Sequence, residues 1–299
     1  MAKTAFLFPG QGGQFVGQGQ NFLTRGTHLN DLLALAEELS GLPLKEISLN
    51  GPASELNRTI NLQPAVLALS LALARIALAE GAEPIIAAGH SLGEYGALCL
   101  AGVLTEREAL ALVSARAKIS QTAAEKQPGV MAAFLNISGP EVVKLCDLGS
   151  AVGEVVAANF NTPTQTVISG EAKAVAAVVR YGQMKQAKII TLPVTGAFHS
   201  PLMAEAAKEM EKLILAVDFQ KPRFPVIPNA LGQPVSDPAR IKELLIGQMV
   251  SPVRWVETSE AVAAVNPEEI VECWPKLYVG SLVKKCLPPE LKMPIRAVA

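Results

Sequence analysis

The chain has 299 residues, Lys+Arg 26 against Asp+Glu 27, a half-hydrophobic composition and only 5% aromatic residues. The cancelling charge excludes the basic excess of a nucleic-acid binder, and the apolar fraction suffices for one large domain with an insertion or for two domains. The cysteines, Cys99, Cys146, Cys273 and Cys286, form no CxxC pair, so no zinc ribbon or redox motif is indicated, and their sparse use fits a reducing cytoplasm.

The first apolar run, Thr4-Ala5-Phe6-Leu7-Phe8-Pro9, is too short for the core of a signal peptide, and residues 6–8 read as a first strand. It runs into the turn-rich Pro9-Gly10-Gln11-Gly12-Gly13-Gln14. Helical segments follow to about Glu80. The apolar stretch 65–79 contains Arg75 and is shorter than the ~20 residues of a membrane span, so a buried Ala/Leu helix is expected and no membrane partner. Residues 84–88 read as a buried strand, Gly89-His90-Ser91-Leu92-Gly93 as a turn, and residues 92–100 as a helix. Thr105-Glu106-Arg107-Glu108 is a capping box that opens another helix.

The middle of the chain changes character. Residues 130–135, 155–158, 166–169 and 188–192 are strand-like, with helical segments at 140–146 and 172–184. The order β-α-β-β-α-β is the ferredoxin-like pattern, so a small inserted subdomain is expected at 128–194. Residues 1–127 and 195–299 then form a discontinuous α/β core, with later helices around 201–217 and 237–249. There is no internal repeat or long charge run.

Gly89-His90-Ser91-Leu92-Gly93 matches G-x-S-x-G. A turn this tight strains the serine backbone and leaves no room for flanking side chains. It lifts the Ser91 oxygen above the sheet and puts the Leu92 N–H at a helix start, where a developing oxyanion is stabilised. The alternative is an idle loop serine. A nucleophilic serine needs a base, usually histidine, and the chain has His28, His90 and His199. His28 sits in a polar stretch and reads as solvated. His90 adjoins Ser91 and reads as a packed or hydrogen-bonded elbow residue. His199 follows a predicted strand, where α/β sheets carry active-site loops, and reads as the base or as a cap ahead of Pro201. Arg116 shares a helix face with Leu112, Val113 and Ile119. It is either a snorkelling or ion-paired arginine, or a guanidinium aimed at an anionic ligand.

Together these residues carry a resemblance. Phe8-Pro9-Gly10-Gln11-Gly12-Gly13-Gln14, Gln63-Pro64, Gly89-His90-Ser91-Leu92-Gly93-Glu94-Tyr95, Arg116, Asn161-Thr162-Pro163-Thr164-Gln165, Gly196-Ala197-Phe198-His199-Ser200-Pro201-Leu202-Met203, and Gln248 with Ser251-Pro252-Val253 resemble, in order and spacing, the malonyl-CoA:acyl carrier protein transacylase family. That family includes the acyltransferases of polyketide synthases, and the match covers nearly the whole chain. The resemblance implies an α/β-hydrolase-like core with a parallel sheet and a ferredoxin-like insertion. It implies that Ser91 is acylated by malonyl-CoA, that His199 is the acid–base, and that Arg116 pairs with the malonyl carboxylate. Gln11 and Leu92 supply oxyanion-hole N–H groups, and Gln248 orients His199 through its main-chain carbonyl. Gln63 and Asn161 fall in the substrate-binding motifs, and Phe198 with Leu92 resembles the malonyl-selective pattern. No metal or cofactor is implied, since the coenzyme A thioester is a substrate.

The implied partners are malonyl-CoA and an acidic, phosphopantetheinylated acyl carrier protein, met by a monomer in fatty-acid or polyketide synthesis. Lys185, Lys188, Lys276, Lys284 and Lys285 are candidates for a basic docking patch, or ordinary solvated lysines. An acyl-thioester hydrolase, an acyltransferase serving a polyketide line in trans and a non-catalytic carrier-binding homologue are the alternatives. In Glu272-Cys273-Trp274-Pro275-Lys276, Trp274 and Lys276 stand where the family usually has glycines. This turn is expected to adopt another geometry without touching the catalytic set, with carrier docking or the thiol entrance as what it would alter.

Overall fold

A computed structural model describes residues 2–25, 28–194, 196–288 and 290–298. Thr195, at the expected end of the inserted segment, lies outside the described residues. Among the described residues ten strands form two sheets. They are β1 (Ala2–Phe8), β2 (Ala82–Gly89), β3 (Val130–Leu135), β4 (Val155–Thr162), β5 (Gln165–Gly170), β6 (Lys188–Thr191), β7 (Val226–Ile227), β8 (Val253–Arg254), β9 (Glu269–Glu272) and β10 (Ile295–Ala297).

The first sheet runs β10-β9-β1-β2-β7 and every pairing in it is parallel. Parallel sheets are covered on both faces, so their strands read as continuous apolar runs. Ala5, Phe6, Leu7 and Phe8 of β1 are all fully buried. Phe6 and Phe8 point into the larger core, with the helix Thr59–Ala79, while Ala5 and Leu7 point into a second core with Trp255, Val262 and Val283. That helix reaches further back than the apolar run in the sequence. By length and composition alone it could cross a membrane, but most of it is buried inside this fold. The strands after β1 add on one side as β2 and β7, and later on the other as β9 and β10. Loops leaving β1 and β9 therefore diverge and open a crevice at the carboxyl ends of the strands.

The second sheet runs β6-β3-β5-β4-β8. Its first four strands pair antiparallel, in the ferredoxin-like order, and the helices Gly139–Gly149 and Ala172–Met184 cover one face through Phe134, Val142, Ile168 and Val178. The other face presents Met131, Ala133, Ala158 and Val167, packed with Phe198. β8, from the chain beyond residue 195, pairs parallel with β4. The expected helix at 201–217 opens as a 3₁₀ turn, Pro201–Met203, and continues as Ala204–Leu215. The one at 237–249 is the α-helix Pro238–Ile246 followed, after Gly247, by the 3₁₀ turn Gln248–Val250.

Candidate active site

β2 ends at Gly89, and the helix Gly93–Leu100 begins four residues later. A Cβ on Gly89 would overlap the Gly93 carbonyl, and one on Gly93 would overlap the Phe8 carbonyl, so strand, turn and helix meet backbone to backbone. Between them Ser91 has φ 51°, a left-handed conformation costly for a residue with a side chain. Its surroundings hold it there. The Ser91 N–H donates to Asn229 Oδ1 at 2.6 Å, and Gln248 Nε2 donates to the Ser91 carbonyl at 3.0 Å. Asn229 Nδ2 donates to the Gly89 carbonyl at 2.6 Å.

Behind this pair lies a carboxylate. The Asn229 N–H and Gln248 Nε2 both donate to Glu94 Oε2, at 3.1 and 2.9 Å. Glu94 Oε1 is buried with no partner. Burial pushes the Glu94 carboxyl up to about 7, against the opposing pull of Gln248, Asn229 and the Arg116 charge.

His199 lies on the loop after β6 and is also left-handed, with φ 57°. Its Nε2 is 2.7 Å from Ser91 Oγ, and its Nδ1 is 3.0 Å from the Ser251 carbonyl and 3.2 Å from the Gln248 carbonyl. Two acceptors at Nδ1 fix the proton there, which leaves Nε2 to accept the Ser91 hydroxyl. Burial, then the charges of Arg116 and His90, pushes the His199 pKa down to about 3 despite the two carbonyls. It is a neutral imidazole at neutral pH. His90 is turned to Asn161, with Nε2 2.8 Å from Oδ1, and its ring rests 5.2 Å from that of Trp255. His28 opens the helix His28–Ser40 beside Arg75.

Arg116 projects from the helix Glu106–Lys126 and is 5% exposed. Its NH1 donates to Gln63 Oε1 at 2.8 Å; its NH2 lies 3.3 Å from both Gln248 Oε1 and Ser91 Oγ. Nε has no partner. Burial lowers its pKa, partly offset by Tyr95 and Glu94. It forms no salt bridge among the described residues, so its hydrogen bonds go to neutral groups.

These groups meet in a cavity of about 100 Å³ between the two sheets. Gln11, Gln63, His90, Ser91, Leu92, Arg116, Phe198 and His199 line it, with Met131 and Asn159 from the second sheet. Gln11 and Val194 also line a larger cleft of about 620 Å³, with Arg58 and Gln121 on its walls. The N–H groups of Gln11 and Leu92 have no protein acceptor among the described residues. Asn161 is outside the cavity lining, behind it on His90. The chain after β9 bears on this site through Tyr278, two residues beyond the departing turn, while Trp274 within that turn reaches only Gly13. Tyr278 Oη lies 3.3 Å from the Gln11 carbonyl and Trp274 Nε1 lies 3.2 Å from the Gly13 carbonyl, because β1 and β9 are parallel neighbours that end at the same edge of the sheet.

Sequence reasoning missed Glu94, Asn229, Asn159 and Tyr278. Glu94 left a signal: it is the one charge in the otherwise apolar Gly93–Leu100 helix, the same anomaly that exposed Arg116. The arrangement offers a hydroxyl with a neutral base, free N–H donors beside it, and a buried cation 3.3 Å from the same oxygen. Among the described residues no cluster of His, Cys, Asp and Glu could hold a metal ion.

A profile of the acyl transferase domain family matches residues 5–288. The malonyl CoA-acyl carrier protein transacylase of Bacillus subtilis strain 168 is 37% identical over 287 residues, covering 95% of this chain and 90% of that protein. The Escherichia coli K12 protein of the same name is 35% identical, covering 95% and 93%. The crystal structure of a malonyl-CoA:acyl carrier protein transacylase from Xanthomonas oryzae superposes with a TM-score of 0.94 at 34% identity, covering 100% of this chain and 95% of that one. A malonyl-transacylase solved in complex with a type II polyketide acyl carrier protein superposes with a TM-score of 0.93 at 32% identity, covering 99% and 96%.

Proposed function

Because this chain belongs to the acyl transferase domain family, we propose that it moves a malonyl group from malonyl-CoA to the phosphopantetheine thiol of an acyl carrier protein, with Ser91 as the carrier in between. The observation that carries this reading is the convergence on one oxygen. Ser91 Oγ is 2.7 Å from the His199 base and 3.3 Å from a guanidinium with no ionic partner. A nucleophile next to a buried cation that no carboxylate contacts directly suits an acyl group that brings its own carboxylate. A hydrolase of neutral thioesters has no use for that cation.

The chemistry proceeds in two matched halves. The substrate carboxylate pairs with Arg116, and its thioester carbon sits against Ser91 Oγ. Ser91 Oγ attacks that carbon while its proton passes to His199 Nε2. The carbonyl oxygen becomes an oxyanion facing the N–H groups of Gln11 and Leu92. The intermediate collapses, the C–S bond breaks, and the His199 proton leaves on the coenzyme A thiol. The carrier thiol then repeats the sequence in reverse and frees Ser91. Thioester is exchanged for thioester, so the free energy changes little. His199 needs no carboxylate: the carbonyls of Gln248 and Ser251 fix its tautomer. The bound malonate offsets the Arg116 charge, one of the causes that hold His199 neutral, and so eases its protonation in the transition state.

The small cavity fits a short acyl group, and the adjoining cleft suits the pantetheine arm of either thiol donor or acceptor. Lys284 and Lys285, exposed in the last turn of the helix Val279–Cys286, suit an acidic carrier. All four cysteines are free thiols, which suits a reducing compartment such as the cytoplasm. Intact-mass measurement tests the reading. Malonyl-CoA should add a malonyl group to the wild type and none to Ser91→Ala, and added carrier protein should remove it. An adduct that survives Ser91→Ala would refute the nucleophile.

A further inference from the structure

The loop that presents the Gln11 N–H is gripped from the turn after β9. We propose that Tyr278 and Trp274 are positioning residues for the oxyanion donor at Gln11, with the Tyr278 hydroxyl as the contact that sets it. This rests on the reading of Gln11 as an oxyanion donor.

Three contacts join the two segments. The Tyr278 hydroxyl donates to the Gln11 carbonyl at 3.3 Å, and Trp274 Nε1–H donates to the Gly13 carbonyl at 3.2 Å. Lys276 Nζ stands 4.6 Å from the centre of the Phe15 ring. The fit is close. A Cβ on Gly12, at φ 118°, would meet the Tyr278 hydroxyl, and one on Gly13 would lie 3.1 Å from Tyr278 Cγ and 3.3 Å from Trp274 Nε1. Only glycines let the loop lie flat on the two rings. From the other side Gln14 Oε1 accepts the Gly12 N–H at 2.8 Å, and Gln14 Nε2 donates to Asn57 Oδ1 at 2.8 Å.

The grip is itself anchored. The fully buried Glu272 carboxylate accepts the N–H groups of Tyr278, Val279 and Gly280 at 2.9–3.1 Å. The Cys273 N–H donates to the Leu7 carbonyl of β1 at 2.8 Å. A continuous series of contacts thus runs from β9 through Glu272, the Tyr278 backbone and the Tyr278 hydroxyl to Gln11. Burial, then the Glu272 charge, raises the Tyr278 pKa, so the phenol stays a donor at neutral pH. The Gln11 carbonyl belongs to the peptide next to the one that carries the Gln11 N–H. Holding that carbonyl limits how far the N–H can swing from the oxyanion, where donor distances must stay within ~2.7–3.1 Å.

Tyr278→Phe isolates the hydroxyl, because the ring that packs on Gly12 and Gly13 remains. Two rates are measured on the folded variant. One is labelling of Ser91 by a fluorophosphonate, which forms the Ser91 O–P bond, expels fluoride and points its P=O at the same donors. The other is single-turnover acylation over a range of malonyl-CoA concentrations. Loss of a whole oxyanion donor costs ~10²–10³ in rate, so loosening one should slow both reactions about tenfold and leave half-saturation within about twofold. Trp274→Phe should slow both by less, since Gly13 is further along the loop. A lower Tm with both rates unchanged would make Tyr278 merely structural, and a raised half-saturation with an unchanged maximal rate would make it a docking residue; either overturns the proposal. A wild type labelled by the fluorophosphonate but inert to malonyl-CoA would sink the substrate reading alone, and the labelling rates would still decide the role of Tyr278.

Discussion

Arg116→Ala asks whether the buried cation reads the acyl group or supports the fold. In the free protein the guanidinium hydrogen-bonds to Gln63 and Gln248, both neutral, and leaves Nε unmatched. Burial already disfavours its charge. Its removal should therefore cost the fold little, and the Tm should hold or rise. The substrate complex is a different matter. A malonyl carboxylate in the 100 Å³ cavity would lose the cation that faces it. Breaking a buried charge pair from one side costs ~3–5 kcal/mol, which converts to about a 10²- to 4 × 10³-fold fall in kcat/KM for malonyl-CoA. Acetyl-CoA has no carboxylate to strand. Loss of the Arg116 charge also relieves one cause of the low His199 pKa, so acetyl transfer should hold or rise. Single-turnover acylation by the two thioesters, compared as a ratio in wild type and variant, cancels any general damage to the site. Equal loss for both substrates would refute the assignment and make Arg116 a structural residue. Lysine at 116 should recover only part of the ratio, since a point charge cannot pair bidentately.

Glu94→Gln should flatten the pH dependence of stability. The folded carboxyl titrates near 7 while the unfolded one releases its proton near 4.5, so the folded state holds the extra proton and stability falls as pH rises through that window. A shift of this size corresponds to about 3 kcal/mol, and the wild-type Tm should drop between pH 5 and 8 by more than that of the variant; parallel curves would refute it. In Glu94→Gln, which removes the other group titrating near 7 beside the site, the free-enzyme kcat/KM for malonyl-CoA should keep its acid limb well below 6.5, because His199 stays neutral down to about 3; a limb at 6.5 in that variant would mean an exposed imidazole. Phe198→Ala should raise methylmalonyl loading relative to malonyl about tenfold, since Phe198 lines the cavity and one methyl is worth ~1–3 kcal/mol; an unchanged ratio would place the selectivity elsewhere.

The amino-acid sequence by itself carried the local chemistry. The glycines around Ser91, the capping box at Thr105, the alternating strands of the second sheet and the misplaced Arg116 each follow from short-range sterics or periodicity. The resemblance added the wider set of site residues. What neither supplied was the convergence of distant segments outside those matched roles. β7, β8 and β10 are two or three residues long and have too little periodicity to be seen. Glu94, Asn229 and Gln248 lie up to 154 residues apart, yet form one hydrogen-bonded hub behind Ser91. Asn161 and Asn159 sit on one strand, but only the packing of that strand over the core turns the first to His90 and the second to the cavity. The turn at Trp274 read as a departure from pattern outside the catalytic set. The parallel pairing of β1 with β9 sets it on Gly13 and brings Tyr278, just beyond it, to Gln11, because strands far apart in sequence end at the same edge of one sheet.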